Sequence, residues 1–142
     1  MAHEKNKELI RRYYDQMWNR WDFRLIDTLI ASEIDFRGSL AVVVHGRDGF
    51  HNYMDLVRTA FPDFHNTIEE LIAEGDSVVA RLTYRATHRG ELFGIPATGK
   101  AIEYAGVAIF RVRKEQVAEG WVLGDTLGLM RQLGAVPGAR SA

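Results

Sequence analysis

Val78-Val79-Ala80-Arg81-Leu82-Thr83-Tyr84-Arg85-Ala86-Thr87-His88-Arg89 is the stretch that decides the fold. Val78, Ala80, Leu82, Tyr84, Ala86 and His88 fall on one side of a two-residue period, and Arg81, Thr83, Arg85, Thr87 and Arg89 on the other. That is the pattern of a strand with one face in a core and one in water. Glu74-Gly75-Asp76 before it reads as a turn. Downstream, Ile102 to Val112 form a second strand, apolar on both faces in its middle, and Val117 to Thr126 a third, after the polar turn Lys114-Glu115-Gln116. No helix-length segment separates the last strands, so they make an antiparallel meander.

Upstream the period changes to that of a helix. Leu9, Tyr13 and Met17, with Ile10, Tyr14, Trp18 and Trp21, place an apolar stripe along a helix from Lys5 to Trp21. Asp22 can cap a short second helix carrying Phe23, Leu25, Ile26, Leu29 and Ile30. Ile34 to Phe36 alternate briefly, Gly38 to His45 read as strand or loop, and Phe50 to Phe61 form a third helix stopped by Pro62. Helices first and long strands afterwards define an α+β fold. Three helices packed into the concave side of one curved antiparallel sheet would cover its apolar face and leave a cavity where side chains fail to fill the cone. The doubly apolar centre of the strand, Tyr104 to Phe110, predicts that its outer side is buried against a second subunit.

Composition narrows the function. The chain has 142 residues, 46% of them hydrophobic, with 18 Lys+Arg against 19 Asp+Glu. This is the size of one domain, with 137–142 expected to be a loose tail. A near-zero charge gives no general attraction to nucleic acid or to an anionic membrane. With no Cys, a disulfide scaffold, a thiolate nucleophile and a cysteine metal site are excluded. The first twenty residues carry charge throughout, and no apolar run approaches a membrane span. The expectation is a soluble, cytoplasmic domain.

Several motifs carry candidate chemistry. Gly94-Ile95-Pro96-Ala97-Thr98-Gly99-Lys100 has the glycine and lysine spacing of a phosphate loop, but Ala101 replaces the Ser or Thr and a strand follows instead of a helix. It reads as a turn. The five histidines, His3, His45, His51, His65 and His88, lack metal-ligand spacing, so no metal is expected. Arg81, Arg85 and Arg89 face acids such as Glu69, Glu70 and Glu74, as a solvated ion-pair surface does. On the last strand, alternation groups Glu119, Trp121, Leu123 and Asp125 on one face and Gly120, Val122 and Gly124 on the other. Which face lines the cavity stays open, as does the choice for Asp125 between a proton shuttle with raised pKa and a structural cap.

Taken in order, Ala60-Phe61-Pro62-Asp63, Ile72-Ala73-Glu74-Gly75-Asp76, Thr87-His88-Arg89-Gly90, Gly94 to Lys100, Ile109-Phe110-Arg111, Trp121-x-x-x-Asp125 and Arg131-Gln132-Leu133-Gly134 resemble the SnoaL-like polyketide cyclases over nearly the whole chain. The resemblance implies a cone-shaped α+β barrel of the nuclear-transport-factor-2-like (cystatin-like) class, a homodimer, an apolar pocket and no cofactor. It also implies ring closure of an aromatic polyketide ester by intramolecular aldol condensation, with an aspartate as acid/base. At the aspartate's position this sequence has Val122, and the pocket histidine of the preceding strand is matched by Ala108.

Two classes of function follow. As an enzyme of cyclase or isomerase type, Asp125 would shuttle the proton, His88 or His65 would orient it, and Trp18, Tyr104, Phe110, Trp121, Val122 and Ala108 would shape a pocket for a small apolar polycyclic or terpenoid-like molecule. As a binding protein, the chain would hold a hydrophobic ligand unchanged. A third reading keeps the fold and changes the reaction to isomerisation, epoxide hydrolysis or hydroxylation, the second of which needs a carboxylate network facing the pocket.

Overall fold

Apolar side chains three and four apart wind the N-terminal segment into α1 (Ala2–Arg12), which widens into a π-helical turn at Tyr13–Trp18. The amides of Asn19 and Asp22 reach back five residues to the carbonyls of Tyr14 and Met17, at 2.8 and 2.9 Å. The wider turn places Tyr13, Tyr14, Met17 and Trp18 together on the buried side, whereas the periodicity predicts a regular helix through Trp21. This computed structural model describes residues 2–136, so the tail expected at 137–142 lies outside the described residues.

Asp22 caps the next segment, its carboxylate accepting the Arg24 N–H at 3.2 Å. That segment is a 3-10 turn, Phe23–Leu25, running into the short α2 (Ile26–Leu29). Then come β1 (Ile30–Arg37), β2 (Val43–His45) and α3 (Gly46–Ala60), which ends before Pro62 because proline has no N–H to continue a helix. The second half is β3 (His65–Glu74), β4 (Ser77–Thr87), β5 (Ala101–Arg113), β6 (Gln116–Gly124) and a closing α4 (Thr126–Gln132). The six strands form one curved, open sheet in the order β2-β1-β6-β5-β4-β3. The expected antiparallel sheet needs one correction, because β1 runs parallel to β6. Lys114 and Glu115, both at positive φ (50° and 62°), make the tight β5–β6 turn.

The sheet sorts its residues by parity. Along β5 every even position from Ile102 to Val112 is buried and every odd one exposed. Four inner positions of β5 and β6 are small, Gly106, Ala108, Gly120 and Gly124. A Cβ on Gly106 would lie 2.5 Å from the Tyr84 ring, and one on Gly120 would lie 2.7 Å from the Phe36 ring. The missing side chains are therefore the seats of aromatic rings supplied by other strands, and the helices bring the rest. Each ring buried this way contributes about 2–3 kcal/mol through removal of apolar surface from water.

The turn between β4 and β5 is anchored on α3. The amides of Arg89 and Gly90 both donate to the Ala60 carbonyl, at 3.0 and 3.2 Å, and a Cβ on Gly90 would meet the Thr59 carbonyl oxygen at 1.9 Å. Backbone cannot yield as a flexible side chain can. Gly90→Ala is therefore expected to lower stability by about 2–3 kcal/mol in urea unfolding, while exposed Pro96→Ala should stay within about 0.5 kcal/mol of the parent. A Gly90→Ala midpoint equal to the parent's would contradict the close approach.

Candidate functional site

The inner face converges on one small cavity. The π-helical turn supplies Tyr13, Tyr14 and Trp18, β1 and the turn after it Phe36 and Ser39, and α3 Tyr53 and Val57; Phe64, Asn66, Tyr84 and Val122 complete the wall. None of these side chains is more than 7% exposed. The space open to the centre of a water molecule is about 20 Å³, room for one water. Spaces of about 460 and 670 Å³ elsewhere are open surface grooves with charged walls.

All five tyrosines of the chain are buried in or behind this cavity. Two are tied down. The Tyr53 hydroxyl accepts the Leu40 N–H at 3.2 Å, and the Tyr104 hydroxyl shares a proton with Ser39 Oγ at 2.9 Å. The hydroxyls of Tyr13, Tyr14 and Tyr84 have no hydrogen-bond partner among the described residues. Asn19 fixes Asn66 from behind, its Oδ1 accepting both the Asn66 backbone N–H (2.8 Å) and side-chain amide (3.0 Å). Burial pushes the phenols of Tyr13, Tyr14, Tyr84 and Tyr104 well above their usual range, and raises Tyr53. The cavity thus holds neutral phenols, each able to donate to a ligand oxygen.

Burial settles which face of β6 is inside. Gly120, Val122 and Gly124 point into the cone, and Val122 sits directly opposite Ala108 across the β5–β6 pair. Both residues are thus interior, and Val122 lines the cavity. Trp18 lines it too, while Tyr104 and Phe110 back it, Phe110 lying edge-on to Tyr13 at 5.0 Å and Tyr104 packing on Tyr84 at 4.7 Å.

The other candidates go elsewhere. Trp121 is 45% exposed on the outer face, with the Arg37 guanidinium 5.5 Å above its ring. Asp125 follows the same outward parity, is exposed, and caps α4 by accepting the Gly128 N–H at 2.9 Å. His65 is exposed opposite Arg85 on the outer face of β3, about 14 Å along the sheet from β6 at ordinary strand spacing. His88 is fully buried, as its alternation predicts, but at the end of β4. Its Nδ1 accepts the Thr98 N–H at 3.2 Å, and its ring packs on Phe61. Asp125, His88 and His65 are not brought together, and none lines the cavity. No carboxylate lines it either, so the network that epoxide hydrolysis requires is missing from the described wall.

Sequence reading passed over Tyr13, Tyr14, Tyr53, Tyr84 and Asn66 as site residues. The signal was present. Tyr13, Tyr14, Tyr53 and Tyr84 all sit at positions that periodicity assigns to the interior, which makes a core rich in phenol groups.

The chain belongs to the SnoaL-like polyketide cyclase family, whose family model matches residues 8–133. No curated protein matches it. Among solved structures it is similar to TsrD from Streptomyces laurentii, with 28% identity over 96% of this chain and 99% of that one and a TM-score of 0.85. It is also similar to AclR from Streptomyces galilaeus, a proposed hydroxylase, with 29% identity over 95% and 88% of the two chains and a TM-score of 0.82. IdmH from Streptomyces antibioticus, a proposed polyketide cyclase, shares 26% identity over 91% and 98% of the two chains with a TM-score of 0.79.

Phenols that titrate higher when folded than their unfolded value of about 10 give stability that is complete below that value and lost as pH rises past it, because the unfolded chain then releases protons that the folded one retains. Absorbance at 295 nm should accordingly show no tyrosinate until the fold is lost, with all five phenols ionising in one step that coincides with loss of the circular dichroism signal. A reversible wave near pH 10 from the folded protein would contradict the burial.

Proposed function

We propose that this member of the family binds a small, flat, oxygen-bearing apolar molecule of polyketide type inside the cone, addressing its oxygens with phenols and not with a carboxylate. The observation that carries this reading is the wall itself. Three unpartnered hydroxyls, Tyr13, Tyr14 and Tyr84, line one cavity whose other surfaces are aromatic or aliphatic, apart from Ser39 and Asn66. A ligand oxygen placed there would accept from hydroxyls that face the cavity without a protein partner, which gives affinity as well as orientation. A ring-sized ligand needs more than the present 20 Å³, so binding re-packs the tyrosine side chains.

Family membership favours a second reading, in which the bound molecule is cyclised. A neutral phenol polarises a ligand carbonyl, and the enol carbon of an activated methylene in the same molecule attacks the carbonyl carbon. The carbon–carbon bond forms and the enol proton ends on the new hydroxyl, so no cofactor is consumed. With Val122 and Ala108 at the two interior positions, such a protein would accelerate only substrates that enolise readily by themselves.

The outer face supports the partner reading. Ile109 pairs with Trp121 and Val107 with Leu123, so four apolar side chains, each between 39% and 53% exposed, form one patch. Charges of both signs, Arg37, Arg111, Glu119 and Asp125, border it, an arrangement that a two-fold axis makes self-complementary. We assign this face to a second copy of the chain. No helix among the described residues is long and apolar enough to cross a membrane.

Two measurements test these statements. Titration with 1-tetralone, followed by methyl NMR, should shift the Val57 and Val122 methyl signals; a saturating addition that leaves both unmoved would overturn the cavity reading. Sedimentation should give a dimer for the parent and a monomer for Trp121→Glu, whereas a parent that sediments as a monomer at 100-fold dilution and at high concentration alike would overturn the interface.

A further inference from the structure

Backbone chemistry forces the orientation of one polar side chain in the cavity wall. Asn66 lies on β3 opposite Tyr84, on the inner face, and is 3% exposed. Asn19, half-buried at the rim, meets it with three hydrogen bonds. One runs from the Asn66 backbone N–H to Asn19 at 2.8 Å. A backbone N–H can only donate, so the Asn19 atom it meets is the oxygen, Oδ1. The Asn66 carbonyl agrees, accepting from Asn19 Nδ2 at 3.0 Å. The Asn66 side-chain atom that lies 3.0 Å from the same Asn19 oxygen must then be a donor, its Nδ2. The Asn66 amide therefore has one orientation, with nitrogen turned to the rim and Oδ1 turned the other way, into the wall of the cavity that the residue lines.

Asn66 Oδ1 accepts no hydrogen bond from the described residues, yet it is not shut away from space. Among those residues, the buried side-chain atoms with neither a partner nor accessible surface are Trp18 Nε1 and His88 Nε2. Tyr13, Tyr14, Ser39, Tyr53 and Tyr84 bring hydroxyls to the wall, which donate as well as accept, and its other side chains are apolar apart from the Trp18 indole, a donor. Asn66 Oδ1 is the one side-chain atom of the wall that can only accept. A hydrocarbon edge or a second carbonyl leaves such an atom unpaired, whereas an O–H pairs it. It also stays in place while tyrosines re-pack, because two of its three bonds to Asn19 are made by the β3 backbone. The acceptor is thus preorganised.

We propose that Asn66 is a specificity-determining residue whose Oδ1 accepts a hydrogen bond from a hydroxyl of the ligand, so that the protein selects hydroxylated aromatic ketones over fully ketonic or O-alkylated rings of the same shape. This inference rests on the cavity reading above, and it adds a donor to a ligand whose oxygens that reading addresses with phenols. The class of ligand is a planar ring system carrying both a carbonyl and a phenolic or enolic O–H. A methyl ether at the same ring position keeps the oxygen and loses the proton, which leaves the amide oxygen desolvated and unpaired, and a site built to pair with a hydroxyl rejects such an analogue.

The test uses the full chain labelled with nitrogen-15, and as probes 1-tetralone, its ring-hydroxylated derivatives and their methyl ethers. A hydroxy derivative should bind about tenfold tighter than both 1-tetralone and its own methyl ether. The Asn66 side-chain amide protons, recognised by their loss in Asn66→Leu, should move downfield with that derivative and stay in place with its ether, because a hydrogen bond at Oδ1 polarises the whole amide. Asn66→Leu, which is similar in size and keeps the two backbone bonds to Asn19, should remove the preference for the hydroxyl. Equal affinities for every hydroxy derivative and its ether, or a preference that survives in Asn66→Leu with still amide signals in the parent, would overturn the role of Asn66 and leave the cavity reading standing. Failure of all the probes to shift the Val57 and Val122 methyl signals would overturn the cavity reading and this inference with it. Should Asn66→Leu not fold, the parent protein decides the matter alone, with the amide protons assigned by through-bond connection to the Asn66 backbone.

Discussion

Four inner positions of β5 and β6, Gly106, Ala108, Gly120 and Gly124, stay small between the larger Tyr104, Phe110 and Val122, and the gaps they leave in a curved sheet have to be filled from elsewhere. Rings do the filling. Tyr84 lies over Gly106, Phe36 over Gly120, and Tyr53 packs so close to Gly38 that a Cβ there would stand 2.1 Å from its ring. The helices and the parallel β1–β6 pair serve this packing, because each brings rings to the bare surface. Close packing of this kind tolerates little change of volume, so the site's shape and the fold's stability are set by the same contacts.

Filling a cone with tyrosines carries a chemical consequence. Phenylalanine would have packed as well, but each phenol brings a polar atom that burial separates from water. Two of the five are satisfied at Ser39 and Leu40, and the three left over border the cavity together with an unpaired indole. Such a core is less stable than a fully apolar or a fully satisfied one, and the deficit is removed when a ligand supplies acceptors. Function in this account is thus the complement of a local instability. The residues that sequence resemblance would assign to proton transfer are replaced by Val122 and Ala108, and the exposed Asp125 is engaged in capping α4.

Much of this was legible in the chain. Alternation from Val78 to His88 placed β4 and its two faces correctly, the turns at Gly75 and Lys114-Glu115 were marked by their residues, and the helical stripe named Tyr13, Tyr14 and Trp18 as interior. Strand parity also divided β6 correctly into its two sets. What parity could not supply was the sign, because Trp121 and Leu123 on one face are as apolar as Val122 on the other, and hydrophobicity alone does not say which set faces inward. The π-helical turn left no trace, since Tyr13, Tyr14, Met17 and Trp18 fit a regular helix about as well. Asp125 is an acid near an apolar strand, but an aspartate just ahead of Leu127, Leu129 and Met130 is itself the local signal of a helix start. The sequence leaves His88 open between a hydrogen-bonded imidazole and one that acts on a ligand, and the partners that occupy it are Thr98, from the loop that follows β4, and Phe61, from the end of α3.

The central claim is that the phenols of the cone, and not the carboxylate of Asp125, meet the ligand. The most direct measurement is calorimetric titration of 1-tetralone into Tyr84→Phe and Asp125→Asn, each checked for an intact fold by circular dichroism. The account predicts that Tyr84→Phe weakens binding about fivefold or more through loss of one hydrogen bond, while Asp125→Asn, which keeps a capping side chain, binds as the parent does. Parental affinity in Tyr84→Phe together with lost affinity in Asp125→Asn would contradict it.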